Sequence, residues 1–136
     1  MSKSAIYLAN MTGAELNNGD AIPLGTIIRR YGQNVRQDGN AVAICDKPGC
    51  PGYYMVHIVA NLEPSASSVT TVSLLKDGVE VLGGSTTVNT GSSMQAIAVP
   101  ISVIVKNSCG GSANLSVGYS GCKSKILNMT TVVEKL

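Results

Sequence analysis

Gly52-Tyr53-Tyr54-Met55-Val56-His57-Ile58-Val59-Ala60-Asn61-Leu62 is followed, after Glu63-Pro64-Ser65-Ala66-Ser67, by Ser68-Val69-Thr70-Thr71-Val72-Ser73-Leu74-Leu75-Lys76-Asp77-Gly78. The pair reads as two long β-strands and a hairpin turn. Side chains alternate across a strand, so Tyr54, Val56, Ile58, Ala60 and Leu62 share one face and Tyr53, Met55, His57, Val59 and Asn61 the other. The first face is wholly apolar and the second mostly so. An antiparallel strand with one solvated face would show a cleaner polar alternation, so a second covering surface is expected, and a partner subunit supplies one.

Turn signals divide the rest of the chain into short strands. Asn17-Asn18-Gly19-Asp20, Gln37-Asp38-Gly39-Asn40, Asp46-Lys47-Pro48-Gly49, Lys76-Asp77-Gly78, Gly83-Gly84 and Gly110-Gly111 are the punctuation. Between them strands are expected near 5–9, 25–30, 41–45, 52–62, 68–76, 79–82, 94–105, 113–119 and 125–134, with no helical repeat. The 94–105 segment repeats the two-sided apolarity, with Ile97, Val99, Ile101, Val103 and Val105 on one face and Met94, Ala96, Ala98 and Ile104 on the other. The fold class is an all-β antiparallel sandwich.

A chain of 136 residues has a single-domain length with enough apolar content to form a core. Charged residues make up 13% of it, about half the usual share of ~25%, which fits surface buried against neighbours. The net charge of +2 forms no basic stripe, and the aromatic residues are five tyrosines with no Phe or Trp. Neither a phosphate-binding surface nor a base-stacking platform is visible, so no nucleic-acid partner is expected. The segment 1–10 lacks the apolar stretch of a secretory signal, and no segment approaches the ~20 apolar residues of a membrane-spanning helix, so no membrane partner is expected.

The four cysteines fall into two local pairs, Cys45 with Cys50 and Cys109 with Cys122. Local disulfides are the simplest connectivity, closing loops worth about 2 and about 3 kcal/mol by chain entropy. A four-cysteine zinc site is the rival, but neither spacing gives a Cys-Xaa-Xaa-Cys knuckle. Free thiols are the other alternative, and disulfides are the leading reading.

Catalytic signals are sparse. His57 is the sole histidine and sits mid-strand among apolar neighbours, with no acid at a suggestive spacing, so a structural or interfacial histidine is expected. The acids are scattered, mostly in turns; Asp20 and Asp38 are more simply turn residues than calcium ligands. No Gly-Lys-Ser or Gly-Lys-Thr follows a glycine-rich turn, so no phosphate loop is present. The chain is expected to be no enzyme and to hold no cofactor or metal.

The order of elements resembles the tumour necrosis factor and complement globular-head superfamily, over roughly residues 20 to 136. Gly52-Tyr53-Tyr54 is similar to that family's Gly-Xaa-Tyr start of strand C, and Val72-Ser73-Leu74-Leu75-Lys76-Asp77-Gly78 to its strand D ending in Leu-Xaa-Lys-Asn-Gly. The chain departs from the pattern at Lys106-Asn107-Ser108-Cys109-Gly110-Gly111, where the family commonly has a Leu and a Gly-Asp turn.

The resemblance implies a jelly roll of about ten strands that assembles as a homotrimer. The inner sheet would then face the three-fold axis, with Tyr53, Met55, His57, Val59, Met129, Thr131 and Val133 as candidates to line it. Residues 1–20 would be an N-terminal arm, with Ile6, Tyr7, Leu8 and Met11 anchoring residues 21–136, the jelly-roll domain, to a particle. The expected role is a structural protein of a virus particle, most plausibly a bacteriophage, as a capsid decoration or fibre component assembled in the host cytoplasm and carried on the virion. The alternative is a receptor- or carbohydrate-binding head with a host-surface ligand, which the shortage of aromatics disfavours.

Overall fold

The computed structural model describes residues 3–46, 52–91, 95–108 and 111–136. Eleven strands follow one another: β1 (Ala5–Asn10), β2 (Glu15–Leu16), β3 (Thr26–Tyr31), β4 (Val35–Asp38), β5 (Ala41–Cys45), β6 (Gly52–Pro64), β7 (Ser68–Lys76), β8 (Val79–Thr90), β9 (Ile97–Asn107), β10 (Ser112–Ser120) and β11 (Ser124–Lys135). No helix occurs among the described residues. One sheet runs β3-β1-β11-β6-β9, with β2 added to β11, and the other runs β4-β5-β10-β7-β8. Every pairing is antiparallel, and after β5 the chain switches sheets at β6, β7, β9, β10 and β11.

The sandwich closes on the face that the alternation of β6 marks. Tyr54, Val56, Ile58, Ala60 and Leu62 are buried, together with Ile6, Leu8, Val99, Ile101, Met129 and Val133 of the same sheet. Val42, Ile44, Val72, Leu74, Leu115 and Val117 oppose them from the other sheet. Residues with period-two burial on both sheets interdigitate across the layer, the arrangement expected of packed antiparallel sheets.

Turn chemistry sets the hairpin between β7 and β8. Asp77 and Gly78 both have positive φ, +51° and +81°, which matches a two-residue turn whose twist follows that of the strands. Gly83-Gly84, expected to end a strand at 82, lies instead within β8. Opposite Ser73 to Leu75 the register shifts, so that Ser73 pairs with Ser85 and Leu75 with Glu80. The glycines are accommodated in a bulge that the ladder continues past.

Residues 5–10 are no free arm. Strand β1 is paired on both sides, with β11 and with β3, and Ile6 and Leu8 are fully buried. Leu16, Ile22 and Leu24 also enter the core, and Ala21 bridges to Gly118. Residues 5–24 are thereby built into the sandwich: β1 and β2 join the six-stranded sheet, and the Ile22 N–H donates to the Val117 carbonyl of the other.

Candidate functional site

The outward surface of the six-stranded sheet is left uncovered within one chain. Cross-strand register arranges it in rows. Arg29, Tyr7, Val132, His57 and Ser102 form one row; Tyr31, Ala5, Glu134, Met55 and Ile104 the next; Thr26, Ala9, Thr130, Val59 and Pro100 a third. The charged residues of these rows are Arg29 on the edge strand β3 and Glu134 on β11 beside Met55, and the row from Tyr7 to Ser102 carries no acid or lysine. His57 Nδ1 and Ser102 Oγ lie 3.1 Å apart, so the ring satisfies one polar atom within its own chain. At one end Lys106 Nζ stands 5.9 Å from the centroid of the Tyr53 ring, within cation–π range.

A second apolar surface lies where the edge strands of the two sheets meet. Leu82 is 95% exposed, Val79 70% and Ile104 53%. Together with Lys76, Glu80, Val81, Val105 and Lys106 they line a shallow groove of about 340 Å³. Thr86 Oγ1 donates to the Pro100 carbonyl across this edge, and Lys76 Nζ donates to the Lys106 carbonyl at 2.7 Å.

The densest polar cluster is inside the protein. The Asp46 side chain is fully buried, and Lys135 Nζ donates to its Oδ1 at 2.7 Å. Asn107 Nδ2 donates to Oδ2 at 2.7 Å, and the Tyr54 hydroxyl contacts both oxygens at 2.9–3.0 Å. Asn107 Nδ2 also reaches the Gly111 carbonyl at 2.9 Å. Strand β6 has to begin with glycine here, because a Cβ at Gly52 would meet the Asp46 carboxylate at 2.4 Å. Burial alone would raise the Asp46 pKa, but the hydrogen bonds from Lys135, Asn107 and Tyr54 and the ammonium charge overcome it and hold the carboxyl below its usual range. Burial, then the bond to Asp46, pushes the Tyr54 phenol well above its ordinary value.

Strand order and sheet layering can be compared with solved structures. Murine APRIL superposes with a TM-score of 0.71 at 13% identity, over 98% of this chain and 99% of that one. PRD1 vertex protein P5 superposes at 0.63 with 11% identity, over 97% and 95%, and the globular domain of zebrafish complement 1qA protein at 0.56 with 7%, over 98% and 95%. The fold is the jelly roll also seen in tumour necrosis factor-like proteins and complement globular heads. No sequence-family model matches the chain, and no characterised protein sequence does.

Within this jelly roll the candidate axis residues divide. Tyr53, Met55, His57 and Val59 stand together on the outward face of β6. Met129, Thr131 and Val133 do not join them, being buried in the core. Their neighbours Thr130 and Val132 lie opposite Val59 and His57 and take the outward positions. β11 is apolar on both faces, so alternation alone could not choose between them; the register past the irregularity at Ile126/Asn128 does.

Of the expected anchoring residues, Ile6 and Leu8 are in the core, Tyr7 stands on the open face, and Met11 is 74% exposed. Cys45 and Cys122 carry free thiols, so the local pairings are not seen; Cys50 and Cys109 lie outside the described residues. The Cys122 thiol accepts from Ser68 Oγ at 3.1 Å, which is the main reason its pKa is lowered. Among the described residues no three His, Cys, Asp or Glu side chains converge on a possible metal position. The Asp46 cluster went unnoticed in sequence because its members are scattered from residue 46 to 135. The visible trace was a lysine in an apolar strand next to the C-terminus.

Proposed function

We propose that the chain is a non-enzymatic structural protein of a virus particle, in keeping with a bacteriophage decoration or fibre component, and that it works as a homotrimer. The observation that carries this reading is the open face of the six-stranded sheet, whose three central rows hold Glu134 as their one acid. Tyr7, Met55, Val59, Pro100 and Val132 form a contiguous apolar surface there. A monomer seldom leaves such a surface to water.

The occupant that fits is a second copy of the chain. The apolar edge formed by Val79, Leu82 and Ile104 lies to one side of the face, so contact between one chain's edge and the next chain's face is heterologous. A heterologous contact that closes produces a ring, and the jelly-roll likeness supports three as its size. The likeness to PRD1 vertex protein P5 supports a virion location. With Ile6 and Leu8 inside the core, Met11 remains the residue of the N-terminal segment suited to touching a particle.

Val132→Glu and Val59→Lys test the reading. Each places a charge in the centre of the face without entering the core. The expected result is a monomer with an unchanged far-ultraviolet circular dichroism spectrum. An unchanged assembly in both variants would contradict an interface on this face.

A further inference from the structure

We propose that Lys135 and Asn107 form an intramolecular amide cross-link, with Asp46 as the proton carrier. The juxtaposition is specific. One buried carboxylate bridges the two groups, taking the Lys135 ammonium on Oδ1 and the Asn107 amide on Oδ2, each at 2.7 Å. The Tyr54 hydroxyl bonds both oxygens and fixes the plane of the carboxylate. Among the described residues no other acid bonds to either reacting group, and the Asn107 carboxamide is held from its other hydrogen by the Gly111 carbonyl.

The chemistry balances within the chain. A proton passes from Lys135 Nζ to Asp46 Oδ1 along the existing hydrogen bond, leaving a neutral amine. The amine lone pair attacks Asn107 Cγ, the new C–N bond forms, and the Cγ–Nδ2 bond breaks. Asp46 returns its proton to the departing nitrogen, one of the two amine protons follows it there, and the nitrogen leaves as ammonium. One lysine ammonium and one carboxamide thus become one secondary amide and one ammonium ion, with no oxidant or reductant. An amine and an amide carbon do not react measurably in water. Fixed orientation in a dry site supplies effective molarities of about 10⁵–10⁸ M, which is set against the cost of moving a proton onto a carboxylate that its hydrogen bonds hold ionised. The product would tie β11 covalently to β9 across β6, at the end of the sandwich where the last strand terminates.

Intact-mass spectrometry of the full chain tests this. The protein is purified in denaturant with reductant, refolded, and sampled over time. The expected result is a mass that falls by one ammonia after refolding and stays constant in denaturant. A tryptic digest then joins peptide 107–123 to peptide 126–136, with no cleavage after Lys135. Asn107→Ala and Lys135→Arg should keep the full mass. A refolded wild-type chain that retains its full mass overturns the proposal, and so does loss of one water, which would mark a Lys135–Asp46 amide. Both results are read on the wild-type chain, so they hold even if a variant fails to fold.

Discussion

Thr131 lies directly opposite Ile58 inside the sandwich, and its hydroxyl has no hydrogen-bond partner among the described residues. A residue expected on the three-fold axis is in fact a polar atom in the apolar core.

Thr131→Val should therefore stabilise the protein. The shape is kept and an unsatisfied buried hydroxyl is removed, worth about 1 kcal/mol or somewhat more. Urea denaturation should show a higher midpoint with the same slope, and the assembly should be unaffected. A lower midpoint would place the hydroxyl in contact with a donor or acceptor outside the chain.

Removing one partner of the buried ion pair should have the opposite sign. Lys135→Met leaves the Asp46 carboxylate buried with its remaining donors, at a cost of about 3–5 kcal/mol. Lys123 and Glu15 form an exposed pair at 3.0 Å, and Lys123→Met should cost at most about 1 kcal/mol. Chemical denaturation of the two variants under the same conditions checks the contrast.

While Lys135 is an ammonium, Asp46 also makes stability depend on pH. Its folded pKa is below the unfolded value of about 3.9, so the unfolded chain binds more protons in acid. The contribution is complete above about pH 4 and is lost as pH falls through the lower folded value. Thermal midpoints of wild type and Asp46→Asn should differ most at neutral pH and converge as pH falls below the folded value. Once Lys135 is held in an amide, the part of this acid sensitivity that its ammonium supplies should disappear.

Tyr54 should resist ionisation. Its phenol donates to a buried carboxylate and is itself buried. In a spectrophotometric titration of the native protein, the chain's five tyrosines should divide, with at least one ionising only on unfolding. Tyr54→Phe should remove that tyrosine from the late group.

The jelly roll was largely legible because β6, β7 and β9 carry strong period-two patterns bounded by Gly, Asp and Pro. Tyr54, Val56, Ile58, Ala60 and Leu62 were assigned to one face, and that face is the core. What sequence could not settle were choices that depend on register. β11 reads Ile-Leu-Asn-Met-Thr-Thr-Val-Val, equally apolar on either face, so only its pairing with β6 shows that Thr130 and Val132 point outward. The short β2 and β4 were missed because strands of two and four residues carry too few alternations to stand out. The N-terminal segment looked like an arm for a related reason: Ile6 and Leu8 match a core strand or a docking peptide equally well. Long-range polar clusters leave no local pattern, and so Asp46, Asn107 and Lys135 were invisible as a group.

The mass of the intact assembly in solution, by light scattering coupled to size exclusion with and without reductant, tests the account most directly. It predicts three chains under both conditions, because the face and edge that meet are apolar and contain no cysteine. A monomer at all concentrations would contradict it, leaving the Tyr7, Met55, Val59 and Val132 surface open to water with no second copy to cover it.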